Sequence, residues 1–275
     1  MHIQKFDNYI IGYWVATMRL GNAPLVETIL ELKWELPTVP HQANPQMKID
    51  PDYNLLVGIL SEKLKPEYPF YERLIQASMP EELAGYIVQH RFRAAENKWP
   101  LVQVGPGILT LNETERYDYK NDFSDRIKNL ISNFFISYPN RKNLRIKELT
   151  LRYIDSVEFD YEKENALNFI RDKMKINIQI PESFFDKTGV TNFPLGYILN
   201  LSYPHSDGKS KAVIQIGTGK KLSKNAIVWD TSITTTNNEK IQNEETILSW
   251  IDNAHDLSKE WFFKLCEGEL MESFK

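Results

Sequence analysis

The residues of this chain with chemistry to offer are five histidines, one cysteine and a set of carboxylates spaced along two strand-like segments. No two of His2, His41, His90, His205 and His255 fall in an H-E-x-x-H or H-x3–5-H arrangement, so zinc-protease and zinc-finger chemistry has no signature. His255 is the best single candidate. It lies on the stripe Ile251, His255, Ser258, Phe262 and Leu265 of a helical segment, the face expected to pack on a sheet. Shielded there, it titrates away from its free value. The plainer reading is a structural histidine bonded to a buried carbonyl or carboxylate.

Glu27, Glu31 and Glu35 share one strand face with Ile29 and Lys33 between them. On an unscreened face they form an acidic strip, suited to acid–base work or a divalent cation. The plainer reading is a solvated strand face. Glu148, Arg152 and Glu158 make a similar set further on, with Arg152 expected to form ion pairs with its acidic neighbours. The two strands are expected to hold matching places, their polar faces meeting in one groove.

The remaining patterns are weaker. Gly217-Thr218-Gly219-Lys220-Lys221 lacks the four-residue gap and the following Ser or Thr of a phosphate loop. It reads as a basic hairpin turn gathering Lys209, Lys211, Lys220, Lys221 and Lys224, a candidate contact for phosphates or an acidic partner. The aromatic interleaving of a single-strand nucleic-acid site is missing. Cys266, alone, forms no intrachain disulfide and reads as a small apolar filler. No G-x-S-x-G elbow is present. The six tryptophans are expected in the core, and one exposed beside the polar groove would mark a binding hot spot.

These residues need elements to hold them. Val26 to Leu36 alternates as a strand with one buried face, closed by Pro37. Asp52 to Leu64 is helical, with Leu55, Leu56, Ile59, Leu60 and Leu64 on one side, and Tyr68 to Met79 reads as a short helical turn. Strands follow at Gly85 to Ala94, Trp99 to Val104 and Ile108 to Asn112, then a helix at Asn121 to Phe134. The pattern restarts with a strand at Leu144 to Phe159, a helix at Lys163 to Met174 and a short strand at Ile176 to Ile180. Strands at Gly196 to Tyr203, Lys211 to Gly217 and Ala226 to Thr234 precede the long helix Glu244 to Leu265. Thr218 to Asn225 reads as the turn between the last two strands.

The expected architecture is therefore α+β: two pseudo-repeated strand-helix-strands-helix units forming a curved antiparallel sheet, helices on the convex face, similar to TATA-binding-protein-like or helix-grip folds. The divisions are an N-terminal extension at 1–22, a first half at 23–140 and a second at 141–275, the halves able to form one compact domain. With 33 basic against 37 acidic residues, 42% hydrophobic and 25% charged, the 275-residue chain is neither disordered nor generally nucleic-acid-seeking. No stretch approaches the ~18 apolar residues of a membrane span, and Met1 to Leu20 makes a poor signal peptide. A cytoplasmic setting is the expectation.

Four segments together resemble an uncharacterised, sporadically distributed prokaryotic family of about 250 residues: Pro24-Leu25-Val26-Glu27 into Leu30-Glu31-Leu32-Lys33-Trp34; Trp99 to Asn112 with its Gly105-Pro106-Gly107; Leu151-Arg152-Tyr153-Ile154-Asp155; and Trp250-Ile251-Asp252-Asn253-Ala254-His255 through Phe262. The family has no established activity, so the resemblance implies no catalytic residue. Its sporadic distribution fits genes that move horizontally, including defence and toxin–antitoxin loci. The preferred reading is a non-enzymatic binding or protein-interaction module that uses the concave sheet surface. No cofactor is expected, and the partner is a protein, encoded by a neighbouring gene in the simplest case. Self-association is open, and nucleic acid ranks behind. The alternative is a nucleotide- or nucleic-acid-directed enzyme or ligand sensor, with a cation held by the acidic strand residues.

Overall fold

The computed structural model describes residues 20–38, 48–114, 117–237 and 239–275. The readings of His2, Trp14, His41 and most of the N-terminal extension lie outside the described residues. In chain order the elements are β1 (Leu25–Trp34), α1 (Tyr53–Leu64), β2 (Phe70–Arg73), β3 (His90–Arg93), β4 (Leu101–Gly105), β5 (Ile108–Glu113) and α2 (Ser124–Ser137), which follows a π-helical turn, Tyr119–Phe123. Then come β6 (Ile146–Glu158), α3 (Ala166–Met174), β7 (Ile198–Pro204), β8 (Ser210–Lys221), β9 (Lys224–Thr235), α4 (Glu244–Leu265) and the single-turn α5 (Glu269–Glu272).

Among the described residues the strands build one nine-stranded sheet in the order β2-β3-β4-β5-β1-β6-β9-β8-β7. Every pairing is antiparallel. The fold is α+β, as the alternation of β1 and β6 and the 3.6-residue spacing of α2 and α4 imply. β1 and β6 lie side by side at the centre, with Leu30 opposite Leu151 and Leu32 opposite Leu149.

Register fixes two faces, because residues opposite one another in an antiparallel ladder point the same way. Leu30, Leu32 and Trp34 of β1 share a face with Leu109 and Leu111 of β5 and Leu149 and Leu151 of β6. The helices pack on that face. Leu56 and Leu60 of α1, Ile127 and Phe134 of α2, and Ile247 and Ile251 of α4 close one core against it. Ile170 and Met174 of α3, with Cys266 and Phe274, close a second core over Ile216 and Trp229. α4 starts from a reciprocal cap: the Thr246 amide donates to Asn243 Oδ1 at 2.9 Å, and the Asn243 amide donates to Thr246 Oγ1 at 3.3 Å.

Four local expectations are corrected. Phe70–Arg73 is an edge strand, and helical turns begin only at Ile75; a four-residue strand is too short for its period to read. The Gly85 to Ala94 strand shrinks to His90–Arg93, since Tyr86 turns with positive φ. Ile176 to Ile180 forms no strand. On α1, Leu55 and Ile59 face solvent, and Tyr53, Leu56, Leu60 and Leu64 are the buried set.

The β4–β5 turn shows why glycine is required. Gly107 has φ +81°, and a Cβ there would meet the Tyr86 ring at 2.8 Å. The β8–β9 turn, by contrast, uses Leu222 and Ser223, both with positive φ. The strands run right up to those two residues, Lys221 opposite Lys224, so Thr218 to Asn225 is mostly ladder.

Candidate functional site

The face of the sheet away from the helices holds most of the expected polar residues. Glu27, Ile29, Glu31 and Lys33 project from β1, and Arg152, Thr150 and Glu148 stand opposite Ile29, Glu31 and Lys33 on β6. The expected meeting of the two polar strand faces is thus present. Register continues this face through Thr110 and Gln103 to Arg91 and Glu72 on one side, and through Thr234 to Lys211 on the other.

The strip is not acidic in effect. Lys33 Nζ lies 2.7 Å from Glu31 Oε1 and 2.9 Å from Glu148 Oε1. Burial works against the Lys33 charge, yet the hydrogen bonds to Glu31 and Glu148 hold its pKa above the ordinary lysine value. Glu27 accepts from Asn112 Nδ2 at 2.8 Å. Glu35 lies one residue past the end of β1, exposed, with its amide bonded to Arg145 O at 2.8 Å. Arg152 forms an ion pair as expected but with a different acid: Nε donates to Asp230 Oδ2 of β9 at 2.7 Å. Arg91 and Arg93 bind Glu72 at 3.2 and 2.7 Å, making the outer end of the strip a two-arginine clamp on one carboxylate. Trp99, 40% exposed, lies under the Arg93 guanidinium at 5.2 Å. Among the described residues no group of three His, Cys, Asp or Glu is placed to hold a metal ion.

Of the five lysines, Lys220, Lys221 and Lys224 stay together at the β8–β9 turn. Lys209 and Lys211 lie at one end of β8 and Lys220 and Lys221 at the other, roughly 35 Å apart at about 3.3 Å per residue. Lys224 is taken by Glu158, which accepts from Nζ with both oxygens at 2.9 and 3.0 Å.

His255 lies on the opposite, helix-covered side, where sequence placed it, but its partners are phenols. Tyr153 Oη of β6 lies 2.8 Å from His255 Nδ1, and Tyr117 Oη lies 2.7 Å from Tyr153 Oη and 3.3 Å from the same ring nitrogen. The ring stacks on Tyr119 at 3.6 Å, and Tyr119 donates to Asp252 at 2.6 Å. Burial, and then the positive charge of Lys259, push the His255 pKa down to about 4, which favours the neutral imidazole. The chain of hydroxyls ties the β5–α2 connection to β6 and α4. Tyr117 and Tyr119 left no sequence signal, since their contacts with His255 and Asp252 span more than 100 residues of chain.

A second covered-face group is Asp155. It stands opposite the fully buried Trp229, is 4% exposed, and has no hydrogen-bond donor among the described residues. Desolvation first, then the Asp230 charge, raise its pKa to about 7. Its signal was visible: Asp155 interrupts the apolar series Leu149, Leu151, Tyr153 and Val157. Cys266 lies in the same core, fully buried, its thiol pushed up to about 12 by burial and by Asp155, and is an inert filler.

No family model matches the chain, and no curated protein matches it. A solved structure, the di-domain ARO/CYC StfQ from the steffimycin biosynthetic pathway, is 7% identical over 90% of this chain and 97% of its own, with a TM-score of 0.19. A superposition of that quality carries no argument about fold or function.

Proposed function

We propose that the chain is a non-enzymatic binding protein that meets a protein partner across the polar face of its sheet. The observation that carries this reading is the continuity of that face through the central β1–β6 pair, with cations and anions interleaved from Glu72 to Lys211. Interleaved charge favours a partner of complementary pattern over a polyanion, and it sets register and specificity more than raw affinity.

Connectivity supports the same reading. β1 pairs with β5 as β6 pairs with β9, and the two initial strands pair with each other. We read this as two related strand-helix-strands-helix units bent into a saddle, like TATA-binding-protein-like folds, with the polar face concave. That likeness is one of architecture and brings no ligand with it. The competing enzyme reading needs a cation on the acidic strip, and the ammonium of Lys33 already occupies the space between Glu31 and Glu148.

The test is co-expression with the product of the adjoining gene. The native chain is expected to co-elute with it. A folded Glu31→Lys, Arg152→Glu variant is expected to lose the partner, and Lys220→Glu, away from the face, to keep it. No co-elution of the native chain, or a melting temperature raised by a nucleotide or divalent cation and not in Glu31→Gln, would overturn the proposal.

A further inference from the structure

The two edges of the sheet differ in how they are protected. β2 is four residues long, carries Glu72 and Arg73, and runs straight into a turn where Arg73 donates to Ala77 O at 3.2 Å. These are the usual means of blocking an edge: shortness and charge. β7 has none of them over most of its length. It is the seven-residue strand Ile-Leu-Asn-Leu-Ser-Tyr-Pro, without a charged side chain, and only its last residue is a proline. Among the described residues its backbone pairs with β8 along its whole length and with no other element. Alternate N–H and C=O groups therefore point outward. Ile198 is 74% exposed, Tyr203 46% and the neighbouring Leu195 89%.

We propose that this edge is a self-association surface, on which β7 of a second copy pairs antiparallel about a two-fold axis. The strand is complementary to itself. With the axis at Leu201, Leu201 faces Leu201 of the other copy, Leu199 faces Tyr203, Asn200 faces Ser202 and Ile198 faces Pro204. In β7 Leu199, Leu201 and Tyr203 lie on the helix-covered side, opposite Ile216, Ile214 and Ala212, and Asn200 and Ser202 on the polar side, opposite Gln215 and Val213. The two-fold therefore joins apolar to apolar on the covered side, sets Asn200 against Ser202 and Ile198 against Pro204 on the other, and opposes no like charges. An isologous contact of this kind closes at two copies. It joins the sheets end to end and leaves both polar faces free, so it is independent of the partner proposed above.

Sedimentation of the full chain across the micromolar range tests this. The native chain is expected at about twice 32.2 kDa. Asn200→Lys with Ser202→Lys sets lysine against lysine at exposed positions and is expected to sediment as a folded monomer, as is Asn200→Glu with Ser202→Glu. Mixing the two variants should restore the dimer, because lysine then faces glutamate. Tyr71→Lys on β2 should leave the dimer intact. A native chain that stays monomeric, or a dimer that persists in both charged variants or fails to re-form on mixing, would overturn the proposal.

Discussion

The two faces of this sheet use the same residue types to opposite ends. On the covered face a carboxylate, an imidazole and several phenols are withdrawn from water. Each either finds hydrogen-bond partners, as Asp50 does with Trp34 Nε1 at 2.7 Å and Tyr138 at 3.3 Å, or is forced towards its neutral form, as Asp155 is. On the polar face carboxylates and cations are partly exposed and paired with one another. Burial makes the first set decisive for stability, because a desolvated group without partners costs free energy. Solvent makes the second set nearly neutral for stability, and so free to serve recognition.

The largest expected effect breaks this contrast from the covered side. Asp155 has a folded pKa of about 7, above its unfolded value, so the folded state binds the extra proton and stability falls as pH rises from about 4 to 7. Asp155→Asn removes that loss and should stabilise the protein at pH 8 by on the order of 2–4 kcal/mol in denaturant titrations. Asp50→Ala should do the reverse, costing about 2–3 kcal/mol, because the buried Trp34 N–H loses its acceptor.

A third prediction separates two opposing titrations. The folded pKa of His255 is about 4, below its unfolded value, so its contribution is present above about pH 6.5 and lost as pH falls towards 4. Between those limits it offsets Asp155, one gaining with pH as the other loses. Relative to the native chain, Asp155→Asn should gain stability with rising pH at about 1.4 kcal/mol per unit. His255→Gln should lose it at the same slope. Parallel profiles for all three proteins would remove both assignments.

The smallest effects belong to the polar face. Lys33→Met and Arg152→Ala should each change unfolding free energy by less than about 1 kcal/mol, since both ion pairs are partly solvated. A loss of several kcal/mol from either would place that residue among the structural groups.

Much of this was legible in sequence where the pattern is local. The period of two in β1 and β6 named both faces, and the stripe in α4 put His255 on the covered side. What sequence missed depends on register or on distance along the chain. Arg152 meets Asp230 rather than its neighbours in sequence, because β9 lies beside β6. The lysines of β8 looked clustered, but an extended strand holds them apart. Tyr117 reaches His255 only because the β5–α2 connection crosses α4, which no spacing announces. β2 escaped because four residues carry too little alternation to outweigh the helical turn that follows.

The most direct test of the division between faces is carbodiimide labelling of carboxylates in the chain alone and with the co-eluting product of the adjoining gene. Binding should protect Glu31 and Glu148 while Glu62 on α1 and Glu267 beyond α4 label as before. Protection of Glu62 or Glu267, with Glu31 and Glu148 unchanged, would contradict the account and place the partner on the helices.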